Sequence, residues 1–292
     1  MITRSDDLTL LLAVVDSGGF SAAAEQLGIQ VARVSRAVSR LERQLGTTLL
    51  NRTTRQVELT EEGRRFSEEV RRGLALLDRA EEALHSARHG PSGRLRVDAA
   101  SPLVLHQLVP LVAEFGAAYP AIRLELSSSD GIINLLEKQT DIAIRIGGMS
   151  DSTLHARLLG ESPLHIVASP DYLRRRGSPA SAAELDRHRL LGFIGSGGLN
   201  RWPLARGAVV PDIAASSGET LRQLALAGNG IACLSRFMIG EDLAAGRLVP
   251  LLQQEYLPLP EREQVHAVYY RHSALSARIG AFLDFIGPRL RL

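Results

Sequence analysis

Apolar residues at helical spacing predict three helices before residue 47. The first carries a stripe that Ser17-Gly18-Gly19 ends, made of Leu8, Leu11, Leu12 and Val15. Ser21 is then expected to cap a short helix, Ala22 to Leu27. A third helix is predicted from Val31 to Leu45, with Gly46 as its C-terminal glycine. Helix, short helix, turn and longer helix is the order of a helix-turn-helix, whose later helix enters the major groove of DNA.

The third helix carries two stripes on different sides. At about 100° per residue, arginines fill one arc and aliphatic residues another, roughly 150° away. The aliphatic stripe is Val34, Val38, Leu41 and Leu45, and the arginine stripe is Arg33, Arg36, Arg40 and Arg43. A solvated face with charge pairs is the alternative to DNA contact, but the one acidic residue nearby, Glu42, lies off the arc. Ser35 and Ser39 border the arginines and offer hydroxyl groups suited to phosphates or base edges.

A basic turn and an alternating strand follow this helix. Arg52, Thr53 and Arg55 occupy the turn, and the strand is predicted from Val57 to Thr60. This arrangement is typical of a wing that lies along a phosphate backbone. Between residues 28 and 60 six arginines face two glutamates, a surplus of four charges (6 − 2), while the whole chain has a net charge of +2. The positive charge therefore concentrates where the helix-turn-helix is predicted.

A long helix is predicted after the wing. Thr60 is its expected cap, and Glu61 and Glu62 suit the positive end of its dipole. Inside it, residues at 4-3-4-3-4 spacing predict a subunit-pairing seam, and these are Phe66, Val70, Gly73, Leu77, Ala80 and Leu84. A helix packed on its own domain is the alternative. Glu81, His85 and His89 have a spacing that could hold a metal but are interpreted as solvated, so no metal or cofactor is expected.

From residue 94 onwards strand and helix patterns alternate, which predicts α/β units with mainly parallel sheets. Ligands of such sheets bind beyond the carboxyl ends of the strands. The candidate effector-binding residues at these ends are Ala100, Ser101, Ser128, Ser129, Arg145, Gly147, Phe193, Trp202, Ser216 and Ser217. Ser101 is expected to cap a helix, and Arg145 to pair with a ligand carboxylate. The alternatives are ordinary caps or turns for the serines, a surface strand position for Arg145 and core packing for Trp202.

Several function classes find no support in the sequence. The glycine-rich run from Gly195 to Gly198 lacks the Lys-Ser/Thr of a phosphate loop, and no nucleophile elbow has matching triad partners, so we expect no enzyme. The only cysteine, Cys233, lies in an apolar run and is interpreted as a small buried residue, with a redox role as the alternative. Without a signal peptide or a membrane-length apolar run, the protein is expected to be cytoplasmic and to bind no membrane.

The run GGFSAAAEQLGIQVARVSRAVSRLERQLGTTLLNRTTRQVELTEEG resembles the winged helix-turn-helix of LysR-type transcriptional regulators. The resemblance continues through GRLRVDAAS, TDIAIRIG, LALAGNGIACLSRF and DLAAGRLVPLL, and so covers nearly the whole chain. One departure falls at the start of the third helix, where the family usually has Ser-Gln-Pro/Ser-Ala and this chain has Gln30, Val31, Ala32 and Arg33. Gln30 and Arg33 are the candidate base-reading residues that replace the usual glutamine.

The resemblance implies an α/β multi-domain architecture. A winged helix-turn-helix is expected over 1–60, a linker and dimerisation helix over 61–89, and a bilobed effector-binding domain over 90–292, similar to periplasmic solute-binding proteins. Lobe I is expected at about 94–162 and 266–292, and lobe II at about 163–265. The chain would cross between lobes near Ser162–Leu164 and return near Gln264–His266, and Gly90–Gly93 is read as a hinge.

The implied function is that of a sequence-specific, DNA-binding transcriptional regulator. A small polar or anionic effector, bound between the lobes, would alter promoter binding or assembly of a homodimer or homotetramer. The DNA-binding residues are expected to be Ser21, Gln30, Arg33, Ser35, Arg36, Ser39, Arg40, Arg43, Arg52, Thr53 and Arg55. The alternative is a cytoplasmic α/β small-molecule-binding or enzyme-like protein with an N-terminal helical oligomerisation domain.

Overall fold

The computed structural model describes residues 3–52, 57–129, 140–147, 154–195, 197–270 and 276–292, without the side chains of Arg52, Ala75 and residues 78–89. The chain divides into two compact units, an N-terminal unit of residues 1–85 and a C-terminal unit of residues 86–292. The elements of the first 89 residues are α1 Ser5–Ser17, α2 Phe20–Leu27, α3 Val31–Leu45, β1 Leu50–Arg52, β2 Val57–Leu59 and α4 Glu61–His89.

The bounds of α3 are those predicted, and Gly46 ends it in the left-handed conformation. The prediction that Ser21 caps the second helix is wrong. Helix α2 begins at Phe20 with Gly19 in the capping position, and the amide of Ala23 donates to the Gly19 carbonyl at 3.0 Å. Ser21 therefore lies in the first turn, where its side chain is exposed. The half-buried Phe20 packs against the core of the unit, and the helix starts two residues earlier than predicted.

The core of the N-terminal unit is formed by one face of each helix. The predicted stripe of α1 is shifted, because Leu8, Leu11 and Val14 are buried whereas Leu12 and Val15 are half-buried. In α3 the buried residues are Val34, Ala37, Val38 and Leu41. The amphipathic pattern of α3 is thus used as predicted: its aliphatic side anchors the helix and leaves the polar side outward.

The wing is a two-stranded antiparallel hairpin, in which Leu50 pairs with Leu59 and Arg52 with Val57. The Glu42 carboxylate, which the sequence analysis considered only as a charge, accepts the amides of Leu49 and Leu50 at 2.9 and 3.2 Å. It thereby ties the end of α3 to the wing. Thr53 and Arg55 lie outside the described residues.

Helix α4 begins where predicted, and the Thr60 hydroxyl accepts the Gly63 amide at 2.9 Å as its cap. Gly63 lies so close to the wing that a Cβ placed on it would be 2.0 Å from the Leu49 carbonyl oxygen. Since real Cβ atoms do not approach an oxygen this closely, only glycine fits at this position. The contact fixes the first turn of α4 against the hairpin.

The predicted seam of α4 splits into two parts. Val70 is only 8% exposed and joins the core of the N-terminal unit together with the half-buried Phe66. For these two residues the pairing interpretation is wrong, because the helix uses them to pack on its own domain. Leu77 is 55% exposed and Gly73 is exposed, so the next part of the seam is free in this chain. The side chains of Ala80, Glu81, Leu84, His85 and His89 lie outside the described residues.

In its described residues the C-terminal unit contains two five-stranded sheets, one in each lobe. Lobe I has the order β4-β3-β5-β12-β6, with β3 Gly93–Ala99, β4 Ile122–Ser128, β5 Ile142–Ile146, β6 Leu154–Glu161 and β12 Gln264–Tyr270. Lobe II has the order β11-β7-β10-β8-β9, with β7 Leu164–Ala168, β8 Leu190–Phe193, β9 Ile213–Ala215, β10 Ile231–Ser235 and β11 Val249–Leu251.

The expectation of mainly parallel sheets is wrong. In the described part of the C-terminal unit four strand pairs are parallel and four are antiparallel. The parallel pairs are β3 with β4 and with β5 in lobe I, and β8 with β9 and with β10 in lobe II. Antiparallel pairs involve β7 and β12, the strands by which the chain enters lobe II after Ser162 and returns to lobe I at Gln264. These two crossing points agree with the prediction.

Helices cover both sheets. Their bounds are α5 Ser101–Leu103, α6 Val112–Ala118, α7 Pro170–Arg176, α8 Gly218–Leu226, α9 Arg236–Ala244, α10 Pro260–Glu263 and α11 Ala277–Ile286. Between α5 and α6 the chain stays helical but changes pitch, with a π-turn at Val104–Leu108 and a 3₁₀ turn at Val109–Leu111. This continuous segment 101–118 shares one apolar cluster with lobe II, in which Leu103 and Leu108 join Leu221 and Phe237.

Candidate DNA-binding face and effector site

The side of α3 that faces away from the core carries Ala32, Arg36, Ser39 and Arg43, all exposed. Gln30 stands at the helix start with an exposed side chain that makes no capping bond. The Arg36 Nε donates to the Ala32 carbonyl at 3.1 Å, which lays its stem along the helix. Arg33 is exposed at the edge of this side, and Ser35 is half-buried at the other edge. Within the described residues no acidic side chain pairs with Arg33, Arg36 or Arg43.

Arg40 differs from the other arginines of the stripe. Its Nε and Nη2 donate to the two carboxylate oxygens of Asp7 at 2.7 and 2.5 Å. Asp7, on α1, is only 1% exposed, and the hydrogen bonds from Arg40 hold its pKa below the ordinary value despite the opposing effect of burial. The expectation that the arginine arc lacks an acidic partner is therefore wrong for Arg40. The partner is a residue 33 positions earlier, which was not singled out from the sequence.

In lobe I the strand ends bring several candidates together at one edge of the sheet. Ala100 occupies the capping position of α5 and Ser101 is its first helical residue, so the prediction that Ser101 is the cap is wrong. Ser128 ends β4 and is exposed. Gly147 follows β5 with a left-handed φ of 104°, and its amide donates to the Gln264 carbonyl at 2.8 Å. A Cβ there would lie 2.9 Å from the Glu261 carbonyl oxygen, so Gly147 keeps the backbone of lobe I close to the returning chain.

Arg145 does have a carboxylate partner, but it is a residue of the chain. Its Nη2 donates to Asp98 Oδ1 at 2.9 Å, while the hydroxyls of Ser127 and Ser129 donate to Asp98 Oδ2 at 2.7 and 3.0 Å. Asp98 is fully buried and was not singled out from the sequence. The available signal was a lone acid among the alternating apolar residues of β3; its partners on β4 and β5 follow only from the strand register.

In lobe II the candidates have different environments. The amide side chain of Asn200 bonds both the amide and the carbonyl of Phe193, at 2.7 and 2.8 Å, and so holds the end of β8. Ser217 caps α8 by accepting the Glu219 amide at 3.2 Å, and Ser216 is exposed beside it. Trp202 is 1% exposed within the apolar cluster of lobe II. The prediction that Trp202 faces an effector is wrong, because core packing encloses its ring.

The two lobes touch directly behind these candidates. A Cβ on Gly218 would lie 3.2 Å from Pro102 Cγ, and His106 Nε2 lies 2.7 Å from Glu219 Oε2. Gln107 donates to the Phe237 carbonyl at 2.8 Å. Burial raises the pKa of Glu219, but hydrogen bonds from Gln223, His106 and Arg222 outweigh it and lower the pKa overall. Segment 101–118 is thereby joined to α8 and α9 of lobe II, a contact that the sequence analysis did not foresee.

The chemistry that the remaining side chains offer is limited. Cys233 is buried, and burial raises the pKa of its thiol to about 12, so it stays protonated. In the parts of the chain that the structure describes, no three His, Cys, Asp or Glu side chains cluster as metal ligands. No single described helix is long and apolar enough to cross a membrane; α1 and α2 meet those criteria only as a pair, bent by 115°.

Comparisons with known proteins agree with this arrangement. Residues 5–64 match the lysR family of bacterial regulatory helix-turn-helix proteins, and residues 88–291 match the LysR substrate binding domain. The HTH-type transcriptional regulator CrgA of Neisseria meningitidis serogroup C is 47% identical over 295 residues, covering 99% of this chain and 98% of the relative.

Solved structures give the same result. The structure of CrgA, a LysR-type transcriptional regulator from Neisseria meningitidis, has a TM-score of 0.66 at 46% identity and covers 99% of this chain and 100% of that chain. The full-length structure of AphB, a Vibrio cholerae virulence activator, has a TM-score of 0.61 at 31% identity and covers 97% and 98%. With a winged helix-turn-helix, a long helix and a two-lobed α/β domain in that order, the chain belongs to the LysR family of DNA-binding transcriptional regulators, which respond to effectors and are not enzymes.

Proposed function

We propose that this regulator contacts promoter DNA through the outward side of α3, with Arg36 and Arg43 neutralising phosphates and Ser39 between them. The observation that carries the proposal is the division of α3: four buried residues anchor one side, and exposed arginines without an acidic partner in the described residues occupy the other. A helix held in this way presents its free side to the major groove. Charge neutralisation by arginine supplies affinity that depends on salt but not on sequence.

Sequence reading is assigned to the start of α3. Gln30 and Arg33 are exposed where a recognition helix first meets base edges. A glutamine amide matches the adenine edge, and an arginine fork matches guanine O6 and N7. In this proposal Ser21 and Ser35 contribute hydrogen bonds at the margins, and the wing residues Arg52, Thr53 and Arg55 follow the phosphate backbone.

The protein is proposed to act as a homodimer or homotetramer, since two half-sites on DNA need two linked readers. Leu76 and Leu77 of α4 are 58% and 55% exposed, which supports pairing through this part of the helix rather than through Phe66 and Val70. A second exposed apolar set on segment 101–118 supports a further contact between subunits, and it comprises Leu105, Val109 and Val112. Two separate surfaces of this kind would allow dimers to pair into tetramers.

The effector is proposed to be small and polar or anionic, and to bind where the strand ends of the two lobes meet. Exposed or half-buried hydroxyls and backbone amides support this position, at Ser101, Ser128, Gly147, Ser216 and Ser217. Arg145 contributes indirectly, because Asp98 already holds its guanidinium. Binding would bias the contact between segment 101–118 and α8, and regulation requires that the effector prefer one state of that contact.

The DNA proposal is tested by fluorescence anisotropy with the upstream region of the protein's own gene as the duplex. Each of Arg36→Ala and Arg43→Ala should reduce the slope of log affinity against log salt by about 0.9 per bound subunit. Arg123→Ala is the matched control, since Arg123 is an exposed arginine of β4 in the C-terminal unit. Unchanged slopes for both α3 variants would refute the assignment.

The effector proposal is tested by repeating the titration in the presence of small mono- and dicarboxylates. The proposal fails if none of these compounds changes promoter affinity or thermal stability.

A further inference from the structure

We propose that Asp7 withholds Arg40 from DNA and so limits the charge that the recognition helix offers to any duplex. The inference rests on the proposed DNA-binding side of α3. In that setting the stripe of four arginines has three roles: Arg36 and Arg43 neutralise phosphates, Arg33 reads bases, and Arg40 positions the helix. Arg40 acts through Asp7 and is a positioning residue.

The geometry of the pair carries the first step. Both donor atoms of the Arg40 fork that face Asp7 are engaged, at 2.7 and 2.5 Å, one on each carboxylate oxygen. This two-point contact fixes the plane of the guanidinium as well as its position. Asp7 lies in the first turn of α1, so the bond ties α1 to α3, while the Glu42 carboxylate ties α3 to the wing.

The burial of Asp7 makes the loss of its arginine partner unfavourable. Asp7 is 1% exposed, whereas the Arg40 side chain remains 38% exposed. If a phosphate were to take Arg40, a buried carboxylate would lose its partner, and an unpaired charge in that position is costly. The phosphate itself approaches from solvent, where salt screens its attraction. Exchange of Asp7 for a phosphate is therefore unfavourable, although Arg40 is long enough to reach outward.

Arg40 also lies away from the middle of the outward side of α3. At about 100° per residue, Arg40 stands roughly 70° from the middle of the outward side, which Arg36, Ser39 and Arg43 define. It lies on the flank that faces α1. The carboxylate of Asp7 adds a negative charge on this flank, which weakens attraction to any phosphate there. With Arg40 held in this way, each subunit binds DNA of any sequence with one phosphate contact fewer.

The test measures the salt dependence of binding to a duplex of random sequence, with the full chain and between about 50 and 200 mM salt. Arg40→Gln should leave the slope of log affinity against log salt equal to that of the unchanged protein. The matched variant Arg36→Gln should lower it by about 0.9 per bound subunit, and Asp7→Asn should raise it by about 0.9, because the released Arg40 gains a phosphate. Nonspecific affinity of Asp7→Asn should increase in parallel.

The double variant Asp7→Asn with Arg40→Gln keeps a polar pair without charge, and its slope should return to the original value. Thermal unfolding verifies that each variant is folded at the assay temperature, and the salt slope is a quantity that a loss of stability alone does not change. If Arg40→Gln lowered the salt slope as much as Arg36→Gln does, Arg40 would be a phosphate contact and the inference would be overturned. An unchanged salt slope for Asp7→Asn would also overturn it. An unchanged slope for Arg36→Gln would instead remove the proposed DNA-binding side.

Discussion

Each unit of this regulator contains a buried aspartate that binds an arginine which the sequence analysis had assigned to an outside anion. Asp7 holds Arg40 in the N-terminal unit, and Asp98 holds Arg145 in the C-terminal unit. The two sites differ in enclosure. Asp7 binds the side chain of Arg40, which is 38% exposed, whereas Asp98 binds an arginine that is 21% exposed and two serine hydroxyls as well. Asp98 therefore anchors three strands, while Asp7 joins two helices near the surface.

The comparison shows that an arginine at a ligand-facing position in sequence is free only if no buried acid reaches it. Asp7 and Arg40 are separated by 33 residues, and Asp98 and Arg145 by 47. Neither pair follows from local periodicity. The same pattern recurs at Asp242, a buried acid that binds Arg222 and Arg247. In this chain, buried aspartates decide which arginines remain available.

The largest expected effect comes from the more enclosed site. Asp98→Ala removes the acceptor of Arg145, Ser127 and Ser129, and should lower the free energy of unfolding of the C-terminal unit by about 3–5 kcal/mol. Urea denaturation of the full chain measures the loss. The control is Asp284→Ala, since the Asp284 side chain is 69% exposed in its pair with Arg157 and should contribute little. Equal losses for the two variants would show that burial does not distinguish these sites.

A second prediction concerns the N-terminal unit, where backbone contact rather than charge is decisive. Gly63→Ala places a methyl group against the Leu49 carbonyl and should destabilise the unit by about 1–3 kcal/mol through overpacking. Gly73→Ala is the matched control in the same helix, because a Cβ at Gly73 meets no atom within 4 Å. There alanine should stabilise by about 0.5–1 kcal/mol. Thermal denaturation reports both, and a stable Gly63→Ala variant would contradict the close approach of wing and helix.

The smallest expected effect is a difference between the two units in the pH range over which their stability changes. Hydrogen bonds from Arg40 lower the pKa of Asp7 from 3.8, so its stabilisation is complete above that value and is lost as pH falls through the lower folded value. In lobe II, burial lowers the pKa of His165 from 6.5, so the folded state resists protonation and stability falls as pH drops below 6.5. The free energy of unfolding is measured for each variant between pH 8 and pH 5. His165→Gln should flatten its pH dependence over this range and Asp7→Asn should not. The reverse result would show that His165 is not the group that titrates in this range.

The local pattern of apolar and polar residues was sufficient to predict several elements of the fold. The periodicity of apolar residues predicted α3 with its observed bounds, whereas the two crossing points between lobes were expected only from the family resemblance. Trp202 and Val70 show where such patterns fail. Each is an apolar residue near a predicted surface, and only the packing of neighbouring elements encloses it. The balance of parallel and antiparallel pairs was also missed, because strand direction at β7 and β12 depends on how the chain passes between lobes.

By itself, the sequence determined which stretches are helix or strand, which side of α3 is apolar, where its positive charge concentrates and which family the chain resembles. These properties follow from residues a few positions apart, whose spacing is set by the geometry of the backbone. The tertiary structure alone decided that Arg40 and Arg145 are held by buried acids, that Phe66 and Val70 serve the core, and that His106 meets Glu219 across the lobes. Those contacts join residues far apart in the chain, and their formation depends on the packing of whole elements.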